Sequence, residues 1–148
     1  MPENRPVKRI GFIGLGDMGL PMACNLLKEG FDVTGFDLRP ERLDLLKGEG
    51  GLGAGSVGEL GENSDAVFVM VMTGTQVAEI ILGDNGLLKS MRPGSVIILS
   101  STIAPSDARE VAVPVLREGI QMIDTPVSGG KSGAENGTLT MMAASAKE

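Results

Sequence analysis

Three glycines spaced as G-x-G-x-x-G, in Gly14-Leu15-Gly16-Asp17-Met18-Gly19, are the residues of this chain best suited to chemistry. That chemistry is the cradling of a pyrophosphate by main chain. Gly14 permits a tight turn, and Gly16 has no Cβ to hold an anion away from the backbone. Gly19 lets the next helix pack closely on the preceding strand. The start of that helix adds free N–H groups and a partial positive charge. Glycine is frequent here, 22 in 148 residues, so the spacing alone is weak. A glycine-rich turn that binds nothing is the alternative. Asp37 supplies the second element, about 20 residues beyond the turn, where a carboxylate accepts from the adenine-ribose hydroxyls and repels a 2′-phosphate. NAD is therefore expected over NADP. Arg39 pulls the other way, because a guanidinium is able to pair with that phosphate. The simpler reading of Arg39 is a solvated surface arginine, and Asp37 could instead cap a helix after Pro40.

Two later clusters are polar and lie behind apolar runs: Ser100-Ser101-Thr102 and Asp124-Thr125-Pro126-Val127-Ser128-Gly129-Gly130. By residue type alone, the first could be a helix cap before Pro105 and the second a flexible turn.

The elements that must hold these residues follow from periodicity. Strands are expected over 7–13, 31–37, 51–54, 65–72, 95–100, 119–124 and 138–144. Helices are expected over 17–29, 40–46, 56–60, 75–82 and 106–117. Pro21 falls in a first helical turn, where its missing N–H costs little, and Gly30 acts as a stop. Asp65 to Met72 is nearly all apolar, the mark of a parallel strand covered on both faces. Alternating strands and helices predict an α/β, Rossmann-type doubly wound, mostly parallel sheet forming one domain over residues 1–148. The direction of the last strand is open, and its closeness to its predecessor is compatible with an antiparallel pairing.

Composition narrows the partners. The formal charge is −6, with four Phe and no Trp or Tyr, so neither the basic footprint nor the stacking rings of a nucleic-acid binder are present. No apolar run approaches the roughly 20 residues of a membrane span. Met1 to Arg9 is polar, unlike a signal peptide, and a cytoplasmic location is expected. There is no His, so no metal site is expected, and the single Cys24 reads as core packing on an apolar helical face.

Gly11-Phe12-Ile13-Gly14-Leu15-Gly16-Asp17-Met18-Gly19-Leu20-Pro21-Met22-Ala23 resembles the opening motif of the β-hydroxyacid dehydrogenases, the 3-hydroxyisobutyrate dehydrogenase and tartronate semialdehyde reductase type. Ser100 to Pro105 resembles that family's Ser-Ser-Thr segment. Asp124 to Gly130, continued by Gly133-Ala134 and Gly137-Thr138-Leu139-Thr140-Met141, resembles its substrate-binding motif. The resemblance implies that Val71 and Met72 line the cofactor cleft and that Thr102 contacts the nicotinamide riboside region. It implies that Ser128, Gly129 and Gly130 bind a substrate carboxylate. It also implies a proton-transferring lysine on a long helix beyond Glu148, and a second, all-helical domain that closes the site and forms a homodimer. No catalytic residue is then expected in this chain, which alone should be inactive; Lys131 reads as a loop lysine, and Lys147 matches no motif. One departure stands out: Met142-Ala143-Ala144-Ser145 replaces the family's usual polar-flanked Gly-Gly turn.

Three functions remain in view. The first is the NAD-binding part of an oxidoreductase acting on a small β-hydroxyacid. The second is a stand-alone, non-catalytic NAD-binding module. The third is a flavin or other nucleotide binder using the same turn. The motif at Asp124 to Gly130 favours the first, since a cofactor sensor has no need of it.

Overall fold

The computed structural model describes residues 6–145. Its strands are β1 (Arg9–Ile13), β2 (Asp32–Phe36), β3 (Leu52–Gly53), β4 (Ala66–Val69), β5 (Val96–Leu99), β6 (Gln121–Asp124), β7 (Val127–Ser128), β8 (Thr140–Met141) and β9 (Ala144–Ser145). Its helices are α1 (Gly19–Lys28), α2 (Pro40–Gly48), α3 (Val57–Glu62), α4 (Gly74–Leu82), α5 (Leu87–Ser90), α6 (Pro105–Arg117) and α7 (Gly130–Asn136). Seven strands form one sheet in the order β3-β2-β1-β4-β5-β6-β9. All pairs are parallel except β6 with β9. The strand order reverses at β1, which lies between β2 and β4. This is the Rossmann arrangement, and its switch point lies between β1 and β4.

The central strands are apolar on both faces because helices cover both. Val67, Val69, Ile97 and Leu99 join one buried cluster with Val77, Ile81 and Val111. Ile10, Phe12 and Ala66 join the other with Leu15, Ala23 and Leu46. Phe12 and Phe68 are register partners on β1 and β4, and their rings stack with centroids 5.2 Å apart. With so few aromatics, most of the core is aliphatic packing.

Several boundaries differ from the sequence reading, each for a physical reason. The run 65–72 stops being strand at Val69. Met70 still donates to the Ile13 carbonyl, but the Val71 N–H turns away to the Ser101 hydroxyl. The run 138–144 is two short strands. β8 pairs with β7 in a separate antiparallel ribbon, and β9 pairs antiparallel with β6 at the sheet edge. Met142 and Ala143, at the place of the family's Gly-Gly turn, join the two. Residues 130–136 are helical, so Lys131 sits on α7 and not in a loop, 3.9 Å from Glu135 one turn on. Lys147 lies outside the described residues. Cys24 is half-buried and packs against the second cluster; burial pushes its thiol pKa up.

Candidate functional site

The turn between β1 and α1 is built around Gly14, which has φ +94°. A Cβ there would enter the Met70 carbonyl, so both conformation and space require glycine. A Cβ at Gly19 would enter the Gly14 carbonyl, which fixes how closely α1 approaches the strand. Gly16 differs. Its φ is not left-handed, and the nearest atom to a Cβ there is Arg39 Nη2 at 3.7 Å. The protein leaves that space open at the N-terminus of α1. The N–H groups of Gly16, Asp17 and Met18 donate to no partner among the described residues, and Met18 caps α1 without a side-chain bond. An open cradle beside free donors fits the pyrophosphate of a dinucleotide. Leu15 anchors the turn: its side chain is fully buried, its N–H donates to Asp37, and its carbonyl accepts from Arg42 Nε.

Asp37 follows the end of β2. Its carboxylate accepts from the N–H of Leu15 at 2.8 Å and of Arg39 at 2.9 Å. It also accepts from Arg39 Nε at 3.0 Å and Nη2 at 3.1 Å. It is not the cap of α2, whose N-cap residue is Arg39 with no side-chain cap bond. Arg39 is exposed, as a solvated surface arginine would be, and its guanidinium forks onto Asp37. Burial pushes the Asp37 carboxyl upward, but these hydrogen bonds and the guanidinium charge outweigh it and hold the pKa below the ordinary carboxylate value.

Across the switch point, Val71 is half-buried beside Gly14, and Met72 is exposed just past the strand. Thr102 is exposed in the loop before α6. The Ser101-Thr102 pair does not cap α6, whose N-cap is Ala104. The buried Ser101 hydroxyl instead accepts from Val71 N–H at 2.8 Å and lies 3.3 Å from the Val69 carbonyl, to which it donates. It ties the loop after β5 to the loop after β4. Sequence reasoning passed over this residue for its neighbour Thr102. The available signal was a polar pair directly behind an apolar strand, where a hydroxyl must find main-chain partners.

Ser128, Gly129 and Gly130 are exposed between β7 and α7. They form the passage from β7 into α7, with Gly129 at φ +134° and Gly130 at φ +61°. α7 carries them back over α1. Asn25 on α1 donates to the Ala134 carbonyl at 2.7 Å, and Ala134 is buried. A shallow concavity of about 320 Å³ lies between the two helices, lined by Asp17, Cys24, Arg42 and Lys131 among others. Residues 14–19, 37–39, 71–72 and 101–102 thus follow the C-terminal ends of β1, β2, β4 and β5, where ligands bind in open α/β sheets, while Ser128 to Gly130 lead from the separate β7–β8 ribbon into α7. No helix of the described residues is long and apolar enough to cross a membrane, and no cluster of metal-ligating side chains occurs among them.

This fold and cradle define a dinucleotide-binding domain. Residues 9–148 match the family model described as the NAD binding domain of 6-phosphogluconate dehydrogenase, and the chain belongs to that family. It is 44% identical over 133 residues to the 3-hydroxyisobutyrate dehydrogenase of Pseudomonas aeruginosa, covering 90% of this chain and 45% of that one. It is 43% identical over 136 residues to the NAD-dependent L-serine dehydrogenase of the same organism, covering 92% of this chain and 46% of that one. The structure of Mycobacterium tuberculosis 3-hydroxyisobutyrate dehydrogenase with L-serine superposes with a TM-score of 0.87 at 37% identity, covering 93% of this chain and 46% of that one. The chain therefore spans about half the length of the relatives it matches.

Proposed function

We propose that this chain is the NAD-binding half of a dehydrogenase that interconverts a small β-hydroxyacid and its aldehyde. The observation that carries this reading is the open cradle at Gly16, beside the N–H groups of Gly16, Asp17 and Met18, which have no partner among the described residues. The main-chain donors of Gly16, Asp17 and Met18 would hold the pyrophosphate. Asp37 would receive the adenine-ribose hydroxyls, with Arg39 beside it. Val71, Met72 and Thr102 would flank the nicotinamide end, and Ser101 would keep the first of these in place. When bound, the nicotinamide ring supplies the hydride acceptor or donor.

The substrate side rests on Ser128, Gly129 and Gly130. A hydroxyl and main-chain N–H groups there would take the carboxylate, leaving the C3 hydroxyl directed toward the nicotinamide. The two named relatives' substrates, 3-hydroxyisobutyrate and L-serine, share that carboxylate and that C3 hydroxyl and differ only at C2. The shared part is what this chain would recognise. The proton on the C3 oxygen would be handled by a lysine outside this chain, on a helical domain that also forms the dimer. NAD is favoured over NADP by Asp37.

The test compares this chain with a longer protein that carries the helical half, followed by reduced-nicotinamide absorbance. The longer protein should oxidise 3-hydroxyisobutyrate or L-serine with NAD. The 148-residue chain should bind NADH without useful turnover, because general acid–base assistance worth about 10² to 10⁴ in rate is missing. Comparable turnover by the short chain would refute the division of labour. NADH binding without activity in either protein would favour the non-catalytic module.

A further inference from the structure

Among the described residues, a single hydrogen bond ties α7 to the rest of the molecule. The others stay within residues 129–138. The Gly133 N–H donates to the Gly129 carbonyl, the Thr138 N–H to that of Gly133, and Asn136 Nδ2 to the Ser132 hydroxyl, while Lys131 faces Glu135. Only Asn25 Nδ2 reaches in from outside, donating to the Ala134 carbonyl at 2.7 Å. That carbonyl lies in the last turn of α7, and its other donor is the distant Gly137 N–H at 3.4 Å. A helix of seven residues is too short to hold itself in water, so its course follows from what it rests on.

α7 rests on α1. Ala134 is buried in the cluster that contains Met22 and Ala23 of α1. Lys131 and Glu135 share the concavity with Asp17 and Cys24. Ala134 and Gly137 lie against Asn25, further along α1. The two helices therefore run side by side in the same sense, start beside start. The start of α1 is the phosphate turn, and the start of α7 is Gly130, the last residue of the Ser128-Gly129-Gly130 passage. On its other side that passage hangs from the β7–β8 ribbon, which is two residue pairs long. Its placement relative to the phosphate turn thus depends on how α7 is seated. Apolar packing at Ala134 is non-directional and lets the helix slide or roll. The Asn25 amide adds a bond of fixed length and direction.

We propose that Asn25 is a positioning residue: its amide holds α7 in step with α1 and so registers residues 128–130 against the cofactor turn. This rests on the dehydrogenase reading above and adds to it a side chain that touches neither ligand. Asn25 lies six residues beyond Gly19, roughly 9 Å along α1 at 1.5 Å per residue. Hydride transfer needs the reacting atoms within about 3 to 3.5 Å, and a misplacement of about 1 Å costs on the order of 100-fold in rate.

Steady-state kinetics of the longer protein that carries the helical half, with NAD and either 3-hydroxyisobutyrate or L-serine, test this role. Asn25→Asp keeps the shape and turns the donor toward Ala134 into an acceptor. Asn25→Leu keeps bulk without a donor, and Asn25→Gln keeps the amide on a longer stem. The Asp and Leu variants should lose about 10- to 100-fold in kcat and raise the KM for the hydroxyacid, with the KM for NAD within about twofold of the parent. The isotope effect on kcat with substrate deuterated at C3 should rise, because hydride transfer becomes the slow step. Asn25→Gln should recover part of the loss. A side chain that only stabilised the fold would lower the melting temperature and leave the isotope effect and both KM values unchanged. That pattern overturns the proposal, as does a parallel rise in both KM values. An active parent with unaffected Asp and Leu variants overturns it alone. A parent inactive on both hydroxyacids defeats the dehydrogenase reading first, and the role of Asn25 falls with it.

Discussion

Gly16→Val separates the fold of the phosphate turn from its use. Nothing but the tip of Arg39 lies within 4 Å of a Cβ at Gly16, and that tip is the end of a long exposed side chain. The backbone there is not left-handed, so a branched side chain meets no conformational penalty of the αL kind. The stability change should therefore stay within about 0.5 to 1 kcal/mol, a shift in melting temperature of a few degrees. Binding should collapse, because the side chain fills the space a pyrophosphate would use against the N–H groups of Gly16, Asp17 and Met18. Losing two hydrogen bonds to a charged group, about 1.5 to 3 kcal/mol each, weakens binding by at least about 100-fold. Gly14→Ala and Gly19→Ala are the contrasting pair. Each drives a methyl into main chain, Gly14 also at a positive φ, and each should cost more than about 3 kcal/mol. Thermal unfolding by circular dichroism and calorimetric titration with NADH read the two effects apart. Unchanged NADH affinity in Gly16→Val would show that the pyrophosphate lies elsewhere. A melting temperature that fell as far as that of Gly19→Ala would show that the open space is not open.

Other expectations follow from the same geometry. Ser101→Ala removes the acceptor of Val71 N–H and leaves a half-buried donor unpaired; chemical denaturation should register a loss of about 1 to 2 kcal/mol, together with weaker NADH binding. Asp65 accepts from Arg9 Nη2 at 2.9 Å and from the N–H groups of Lys8 and Arg9, and these bonds hold its pKa at about 2 against an ordinary 3.8. Because the folded-state pKa is the lower one, this stabilisation is complete above about pH 4 and is lost as pH falls toward 2. With Arg9 partly exposed its size is on the order of 1 kcal/mol, so the stability gap between the parent chain and Asp65→Asn, read by urea denaturation, should be present at pH 6 and shrink below pH 3. Asn25→Ala removes the bond from α1 to the Ala134 carbonyl and should loosen α7, raising amide exchange over residues 130–136 while leaving β1 to β4 unchanged.

The long apolar runs and the first glycine turn were legible because local pattern and tertiary role agree there. Ile10 to Ile13 is an unbroken apolar run, and the tight turn behind it calls for glycine at Gly14. α7 was not legible. Gly130-Lys131-Ser132-Gly133-Ala134-Glu135-Asn136 has poor helix propensity, and its helix is tied to α1 through the Ala134 carbonyl, a contact made across more than a hundred residues. The early end of β4 was hidden for a similar reason. Val71 and Met72 are apolar enough to continue a strand, but the Ser101 hydroxyl draws the main chain off the ladder. The site residues were found by type, while the contact between two of them was missed. Nothing in the spacing of Asp37 and Arg39 says that they would bind each other so completely.

The β3 end of the large sheet is unlike its middle. β1, β4 and β5 are apolar and buried on both faces, the kind of segment that pairs with any strand offered to it. β3, at one end of the sheet, is only two residues long. The Lys47 side chain lies over Gly53 on β3, placing a charge beside one rim. A strand so short presents too few free main-chain groups to recruit another chain, and a nearby ammonium discourages an apolar newcomer. The brevity of the β3 rim thus works against edge-to-edge pairing of a glycine-rich, aliphatic chain, and lengthening it by apolar substitution would trade solubility for pairing with a neighbour.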